Sequence, residues 1–424
     1  MAQSTENLVA RRERVLGVGA PLFYQQPIHI VRGEGAFLFD ADGKRYVDMY
    51  NNVPCVGHAN PHVVESMHQQ AATLNVHSRY LHEGVIDYAE RLVALHDASL
   101  NRIVFTCTGT EANEVAIGMA RFATGGRGII CTDRAYHGNS ALVNKLTWAE
   151  LQSDPEIRWA RYPQTYRPIE EGLSEPELAN RYLDEVQAAI DSFAAEGVQL
   201  AGMLVCPLLA NEGLPNIPQG YMARAAKMVR DAGGLFIVDE VQAGFCRSGR
   251  WWGYETSDVL PDIATMGKPM GNGLPLSGVV ARAELVETFR KRSGYFNTFA
   301  ASPLQAAAGS AVLDVIEKEQ LQQRVVEVGA YLRDGLGKIE CEAMGDIRGH
   351  GLFIGLDWVS DREARTPDME GAVRVVNALK DKGILTSNAG SEFNVIKLRP
   401  PLVFNCEQAD MFLHAFEETV RELY

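Results

Sequence analysis

Several features that would assign a protein to other classes are missing from this sequence of 424 residues. It contains no run of about 18 or more apolar residues, so we expect no membrane-spanning helix. The polar N-terminus, MAQSTENLVARRERVLG, lacks the apolar core of a secretory signal. Together these absences favour a cytoplasmic protein of ordinary globular composition.

Excess positive charge is also missing, because 40 Lys and Arg stand against 54 Asp and Glu, a formal net charge of −14. Nucleic acids and anionic membrane surfaces favour basic proteins, so we expect neither as a partner. The seven cysteines are odd in number and scattered, and they predict no disulfide framework and no paired CxxC zinc site. We predict no metal site from the histidines either, since five of them lack regular ligand spacing: His58, His62, His68, His77 and His82.

What the sequence does contain is a succession of short apolar runs and amphipathic helices. The stretch GAFLFDADGKRYVDM predicts a hairpin around an Asp-Gly turn. From about Asn101, apolar strands alternate with helices such as 219–232, a pattern typical of a largely parallel sheet with both faces covered. After about Leu304 we expect one long helix, kinked near Gly309, followed by two strands around the helix GAVRVVNALKDKG.

This order predicts an α/β fold with a large domain and a small α+β domain made from both chain ends. We place the N-terminal segment of the small domain at residues 1–60, the large domain at 61–310 and the C-terminal small domain at 311–424.

Two motifs are predicted to lie where strands of this sheet end, and ligands of open parallel sheets bind beyond the carboxyl ends of the strands. In TGTEAN, Gly109 allows a close backbone approach, Thr110 supplies a hydroxyl, and a helix N-terminus offers free N–H groups. This favours a phosphate cradle, and a simple helix cap explains the motif equally well. In YHG, Tyr136 is suited to stack on a flat ring, although a core tyrosine is the commoner explanation.

Two further motifs carry charge in apolar surroundings. FIVDEVQAGF places Asp239 at the end of an apolar strand, where a carboxylate needs a positive or hydrogen-bonding partner. No GxxxxGK[ST] precedes it, which argues against a nucleotide-binding acid. Lys268 has no acidic neighbour within ATMGKPMGNGLPLSGVV, so burial would lower its pKa and make it a nucleophile for carbonyls. A phosphate, a flat ring, a basic ring nitrogen and an aldehyde are combined in pyridoxal 5′-phosphate.

With these motifs in place, the chain resembles the class III aminotransferases, which have the fold-type I pyridoxal-phosphate fold. The resemblance extends from GEGAFLFDADGKRYVDM to KLRPPLVF and includes TGTEAN, YHG, DEVQAGF, MGKPMGNG and YFNTF. Within the family, NVHSRYLHEGVIDYAERL and IRGHGLFIGLDWVSDREARTP resemble the alanine–glyoxylate aminotransferase 2-like proteins, some of which are phospho-lyases acting on phosphoethanolamine or phosphohydroxylysine.

The resemblance implies a role for each matching residue. Lys268 is expected to form the Schiff base and move the proton, and Asp239 to keep the pyridine nitrogen protonated. The remaining cofactor contacts that it implies are the phosphate contacts Gly109 and Thr110, the ring faces Tyr136 and Val241, the ring hydroxyl partner Gln242, and His137 beside them. Thr298 is expected to reach the phosphate of the neighbouring subunit, which implies a homodimer with shared active sites.

The sequence departs from the family pattern on the substrate side. Lys397 stands where many members have a carboxylate-binding arginine, and we expect Arg399 to point the other way along the strand. Cys206 replaces a usual glutamate, and the later gate glutamate corresponds to Asn211 or Glu212. A usual Gly-Gly-Asn-Pro is replaced by Ala300, Ala301, Ser302 and Pro303. The substrate pocket is therefore expected to be unusual.

Two reactions remain open at this point. One transfers an amino group from a primary amine or omega-amino acid to a keto acid. The other eliminates phosphate or ammonia from a phosphate- or phosphonate-bearing amine and needs no acceptor. The substrate-side candidates are Tyr24, Asn52, Arg79, Tyr80 and Lys397, of which Arg79 and Tyr80 could equally belong to a dimer interface and Lys397 to a solvated strand. A non-catalytic protein is disfavoured because Lys268 and Asp239 are both present.

Overall fold

The computed structural model describes residues 5–149 and 153–424. Its α-helices are α1 Thr5–Leu16, α2 Pro61–Thr73, α3 Glu83–Ala94, α4 Gly109–Thr124, α5 Glu175–Ala195, α6 Tyr221–Asp231, α7 Ala283–Ser293, α8 Pro303–Lys318, α9 Leu321–Leu336, α10 Met369–Asp381 and α11 Cys406–Leu423. Short 3-10 helices cover Val143–Leu146, Gly253–Ser257 and Lys268–Gly271. Among the described residues, no helix is both long and apolar enough to cross a membrane.

The strands form three sheets. They are β1 Ile30–Glu34, β2 Phe37–Asp40, β3 Arg45–Asp48, β4 Arg102–Thr106, β5 Gly128–Thr132, β6 Ile157–Ala160, β7 Leu200–Val205, β8 Leu235–Asp239, β9 Ile263–Met266, β10 Ser277–Ala281, β11 Met344–His350, β12 Phe353–Asp361, β13 Thr366–Pro367, β14 Ile384–Leu385, β15 Ser387–Ala389 and β16 Val395–Leu398.

The central sheet has seven strands in the order β4-β10-β9-β8-β7-β5-β6. Only β10 runs antiparallel to its neighbours β4 and β9, and the other pairs are parallel. Several of its strands are buried along their whole length, including β5 and β7, because helices cover both faces. The expectation of a largely parallel sheet is confirmed.

Of two smaller sheets, one joins both chain ends and the other comes from the C-terminal part alone. In the four-stranded sheet β1-β2-β3-β14, Ile384 and Leu385 of β14 pair in parallel with Val47 and Asp48 of β3. The second sheet has the order β11-β12-β16-β15, with β13 pairing β12, and is antiparallel. The predicted boundaries at residues 60 and 310 stay a prediction, and the second lies inside α8.

The long helix expected after Leu304 is two helices, so that prediction was wrong. Gln320 adopts φ 51° between α8 and α9 and ends the first helix, whereas Gly309 lies within α8. A Cβ at Gly309 would come within 2.3 Å of the Tyr88 ring, so this glycine serves close packing rather than a kink. The helical periodicity on both sides of the break hid it, because Gln320 is no sequence signal for a left-handed residue.

Candidate active site

A cavity of about 290 Å³ lies beyond the carboxyl ends of the central strands. Segments that follow β4, β5, β7, β8 and β9 all contribute to its wall. Its lining comprises Val53, Cys107, Thr108, Gly109, Thr110, Tyr136, His137, Gly138, Cys206, Asn211, Asp239, Val241, Gln242, Lys268, Gly273, Leu274, Pro275 and Leu276. The structure thus brings together eight of the nine predicted cofactor-side residues, and Thr298 is the exception.

Asp239 ends β8 and has hydrogen-bond donors at both carboxylate oxygens. His137 Nδ1 lies 2.7 Å and Asn113 Nδ2 3.0 Å from Oδ2, and the Val241 N–H donates to Oδ1 at 3.0 Å. Burial alone would raise the pKa of Asp239, but these hydrogen bonds, His137 first, hold it below its usual value. The cavity therefore contains a fixed, ionised carboxylate.

Lys268 begins the short 3-10 helix that follows β9 and contributes to the same cavity. Burial lowers the pKa of its ammonium, and the nearby charge of Arg399 lowers it further, against the opposing effect of Asp239. Since an amine attacks carbonyls only in its neutral form, this environment makes Lys268 a better nucleophile than a solvated lysine.

The N-terminus of α4 opens into the cavity. Thr108 is its N-cap, accepting a hydrogen bond from the Glu111 N–H at 3.2 Å, while Gly109 and Thr110 line the cavity. A Cβ at Gly109 would come within 2.9 Å of the Val241 methyl groups, so only glycine fits here. Gly138 adopts φ 141°, and a Cβ there would come within 2.5 Å of the Thr110 hydroxyl oxygen. The segment therefore caps the helix through Thr108 and can also bind an anion, because free N–H groups and the helix dipole favour negative charge there.

Gln242 and Asn211 form a hydrogen-bonded wall of the cavity. Gln242 Nε2 donates to Asn211 Oδ1 at 3.1 Å, and Asn211 Nδ2 donates to the Tyr136 carbonyl at 3.1 Å. The two candidates for the gate position lie in different surroundings. Asn211 lies at the cavity, and Glu212 is buried, accepting a hydrogen bond from the Thr132 hydroxyl at 2.6 Å.

The substrate-side candidates are dispersed. Tyr24 donates to the Thr386 carbonyl at 2.9 Å and lines a separate apolar cavity, and Asn52 is buried with Nδ2 unpartnered among the described residues. Arg79 and Tyr80 are exposed, with the Arg79 guanidinium 4.0 Å from the centre of the Phe296 ring. Thr298 is exposed in the loop between α7 and α8. These residues do not meet within one subunit.

Lys397 is buried rather than solvated, and its Nζ donates to the Ala210 carbonyl at 2.8 Å. Burial, with Arg399 and Lys268 nearby, lowers its pKa well below the usual value. Arg399 does not point the other way, so that prediction was wrong. Residues i and i+2 share a face of an extended chain, and Arg399 is buried and donates to Gln242 Oε1.

Sequence reasoning missed two residues of the site. Asn113 bridges Asp239 and the His137 carbonyl, the latter at 2.7 Å, and it ends the TGTEAN motif one helical turn after Gly109. The spacing of four residues was a signal for a shared helix face. Tyr50, whose ring lies 4.2 Å from the Arg399 guanidinium, comes from the small sheet region and had no such signal.

The model of the aminotransferase class-III family matches residues 21–420. The chain belongs to the class III aminotransferase family. Its fold is accordingly the fold-type I architecture, and it is a pyridoxal-phosphate-dependent enzyme. The resemblance inferred from the motifs is confirmed.

Individual relatives agree with this assignment. The enzyme is 36% identical to an alanine–glyoxylate aminotransferase 2-like protein from Drosophila melanogaster, over 98% of this chain and 86% of the relative. A solved phospholyase from Arthrobacter in complex with phosphoethanolamine is 41% identical, with a TM-score of 0.95 over 98% of this chain and all of that one. An (S)-enantioselective omega-transaminase from Thermomicrobium roseum is 26% identical, with a TM-score of 0.89 over 100% and 99% of the two chains.

The cavity fits the cofactor that this family requires. Gly109 and Thr110 line the cavity at the N-terminus of α4, where free N–H groups suit a phosphate. An ionised Asp239 in a buried setting suits a protonated ring nitrogen. The Lys268 amine lines the cavity and can react with the aldehyde. The Val241 side chain packs beside Gly109 and Gly267, between the N-terminus of α4 and Lys268.

Proposed function

We propose that the enzyme transfers the amino group of a primary amine or omega-amino acid to a keto acid, with Lys268 holding the cofactor and moving the proton. The observation that carries this proposal is the pairing of a lysine with a lowered pKa and an ionised Asp239 in one cavity. Lys268 supplies a base and Asp239 a fixed negative charge, and amine chemistry on a pyridine ring needs both.

Pyridoxal phosphate, when bound, supplies an aldehyde that condenses with amines. Its ring also withdraws the electron pair that remains on the substrate carbon next to the amino nitrogen when that carbon loses a proton. Asp239 would hold a proton on the ring nitrogen, and Gly109 and Thr110 would bind the phosphate. Val241 and Tyr136 would enclose the ring, and His137 orients Asp239 through its 2.7 Å contact. The Lys268 amine, which lines the same cavity, would take the proton from the substrate carbon that bears the nitrogen.

A second reaction, elimination of phosphate and ammonia from a phosphate-bearing amine, is favoured by one observation. Lys397, a buried basic residue near Lys268, stands where many family members have the arginine that matches a carboxylate in two hydrogen bonds. An amine donor suits a phosphate oxygen, and Nζ keeps hydrogen beyond the one that it donates to the Ala210 carbonyl. The similarity to a phospholyase bound to phosphoethanolamine supports this alternative.

The reactions separate in an experiment without any keto acid. The purified yellow enzyme is mixed in turn with alanine, 4-aminobutyrate, 1-phenylethylamine, phosphoethanolamine and an aminophosphonate. Transamination predicts a stoichiometric bleaching of the cofactor band that stops until pyruvate is added. Elimination predicts continued release of ammonia, with phosphate from phosphoethanolamine, while the band persists. An enzyme that reacts with none of the amines would contradict both candidates.

We further propose a homodimer with shared active sites and a cytoplasmic location. The dimer is supported by the exposed, largely aromatic surface around Tyr80, Phe296 and Phe299, the last with 76% of its surface exposed. This surface lies beside Thr298 and Arg79, neither of which lines the cavity of its own subunit. Subcellular fractionation with an antibody tests the location, and recovery in an organelle fraction would contradict it.

A further inference from the structure

Arg399 stands at the start of a chain of hydrogen bonds that runs along the cavity wall. It donates to Gln242 Oε1, Gln242 Nε2 donates to Asn211 Oδ1 at 3.1 Å, and Asn211 Nδ2 donates to the Tyr136 carbonyl at 3.1 Å. Three elements that are distant in sequence are thereby tied to β16. Every bond points in the same direction, from the guanidinium towards the backbone carbonyl.

The direction of the chain is fixed at both ends. A guanidinium has only donors, so the oxygen of the Gln242 amide must face it and the nitrogen must face Asn211. A backbone carbonyl has only acceptors, so the Asn211 amide takes the same sense. Without Arg399, only the Tyr136 carbonyl, acting through Asn211, would fix the sense of the Gln242 amide, and the Gln242 oxygen would lose the donor that holds its other end.

Arg399 is also held firmly behind the wall. Its guanidinium lies 4.2 Å from the Tyr50 ring centre, and its backbone N–H donates to the Met49 carbonyl at 2.8 Å. Among the described residues that line the cavity, Gln242 is present and Arg399 is not. Gln242 therefore separates the charge from the space that cofactor and substrate occupy.

We propose that Arg399 is a positioning residue that makes Gln242 an obligate hydrogen-bond donor towards the cavity. The inference rests on the proposed function, because that function gives Gln242 the ring oxygen of the cofactor as its partner. Gln242 Nε2 carries two hydrogens and Asn211 takes one, so the other is free for an oxygen acceptor. Arg399 thus acts on the cofactor through Gln242 and does not anchor the anionic end of the substrate.

A double-mutant cycle tests this with Arg399→Leu, Gln242→Ala and both together, measured as holoenzymes. Each single variant should shift the absorbance maximum of the resting enzyme and lower kcat about tenfold, the loss expected for one hydrogen bond involving a charged group. Because both act through one contact, the double variant should lose about tenfold rather than a hundredfold. The loss should be the same for 1-phenylethylamine, which has no anionic group, and for amines that carry one.

Arg374→Leu is the matched control, since this arginine is exposed on α10 of the same part of the chain. It should leave the absorbance maximum and kcat unchanged.

Gln242→Glu keeps a partner for Arg399, so it should fold even if Arg399→Leu does not, and it removes the donors. We expect it to lose activity about as strongly as Gln242→Ala, by about tenfold.

The outcomes separate the inference from the proposed function. If Arg399→Leu raises KM for anionic amines alone and leaves the resting spectrum unchanged, Arg399 is a substrate anchor and the inference is wrong. Multiplying losses in the double variant, or a fully active Gln242→Glu, would overturn it too. Wild-type enzyme without a cofactor band or turnover of any amine would instead overturn the proposed function.

Discussion

At the scale of single residues, the site depends on how burial changes two charges in opposite ways. Burial lowers the pKa of Lys268 because the ammonium loses its hydration without gaining a close hydrogen-bonding carboxylate. Asp239 is buried too, yet donors from His137, Asn113 and the Val241 N–H stabilise its ionised form. Neighbouring groups therefore decide which residue is suited to be the nucleophile and which the fixed charge.

Lys268→Ala should abolish the yellow band of the holoenzyme and reduce turnover more than about a thousandfold, because Lys268 is the only lysine among the described residues that line the cavity. Absorbance spectra and steady-state rates on the best amine of the panel measure this. Lys227→Ala, a change at an exposed lysine of α6, is the control and should behave as wild type. A fully active Lys268→Ala enzyme would show that the assignment is wrong.

At the scale of elements, buried ion pairs connect the segment after β6 with the second small sheet. Asp357 of β12 is fully buried and accepts from Arg167 Nη1 at 2.9 Å, from Arg348 Nη2 at 2.8 Å and from Asn394 Nδ2 at 2.7 Å. Arg348 Nε also donates to the Gly213 carbonyl at 3.1 Å, next to the segment that carries Asn211. The stability of β12 and the shape of the cavity wall are therefore linked.

Asp357→Asn should destabilise the fold by about 3–5 kcal/mol, because it leaves buried guanidinium groups without their carboxylate. Urea unfolding followed by fluorescence measures the change. Asp346→Asn is the comparison, since Asp346 contacts Arg348 at 3.2 Å from a more exposed position and should cost about 1 kcal/mol or less. Equal losses of unfolding free energy in the two variants would show that burial of the carboxylate does not determine the cost of removing its charge.

Glu240, the neighbour of Asp239, holds the short 3-10 helix Gly253–Ser257 rather than the cofactor. Its carboxyl accepts from the Gly253 and Tyr254 N–H groups, both at 2.8 Å, and burial raises its pKa from 4.5 to about 8 despite these bonds. A pKa that is higher in the folded state favours folding below the unfolded-state value. That contribution is lost as the pH rises from about 4.5 to about 8.

The free energy of unfolding of the wild type should therefore fall more between pH 5 and pH 8 than that of Glu240→Gln, whose amide does not titrate. Urea unfolding at about five pH values between pH 5 and pH 8, the range over which the raised pKa of Glu240 matters, gives the pH dependence of the unfolding free energy for each protein. Parallel slopes would mean that Glu240 stays ionised in the folded protein.

At the scale of the whole molecule, one subunit does not bring Thr298 to its own cavity. The exposed aromatic surface beside it and the proposed dimer would place this threonine at the partner's phosphate. If so, each active site needs Lys268 from one subunit and Thr298 from the other, and two different inactive subunits can complement each other.

Lys268→Ala and Thr298→Glu enzymes, each nearly inactive alone, should regain activity when dissociated and reassociated together. Random pairing at equal amounts makes half of the dimers mixed, with one native site of two, so about a quarter of wild-type activity is expected. Sedimentation analysis confirms reassociation, and mixing Lys268→Ala with itself is the control. Reassociated dimers without activity would show that the sites are not shared.

The sequence determined the chemistry and the fold class. Apolar strands alternating with helices specified the parallel sheet, and its carboxyl ends bring together the residues from Gly109 to Lys268 as the motifs indicated. These inferences succeeded because strand direction and helix start are local properties, with signals within a few residues.

Contacts between distant segments were decided only by the tertiary structure. The break at Gln320, the burial of Lys397 and the place of Arg399 between Tyr50 and Gln242 have no local signal. Arg399 and Gln242 are separated by 157 residues, and their hydrogen bond exists because β16 packs against the segment after β8. The sequence named the groups that do chemistry, whereas packing determined the orientation of each group and the charge that each one carries.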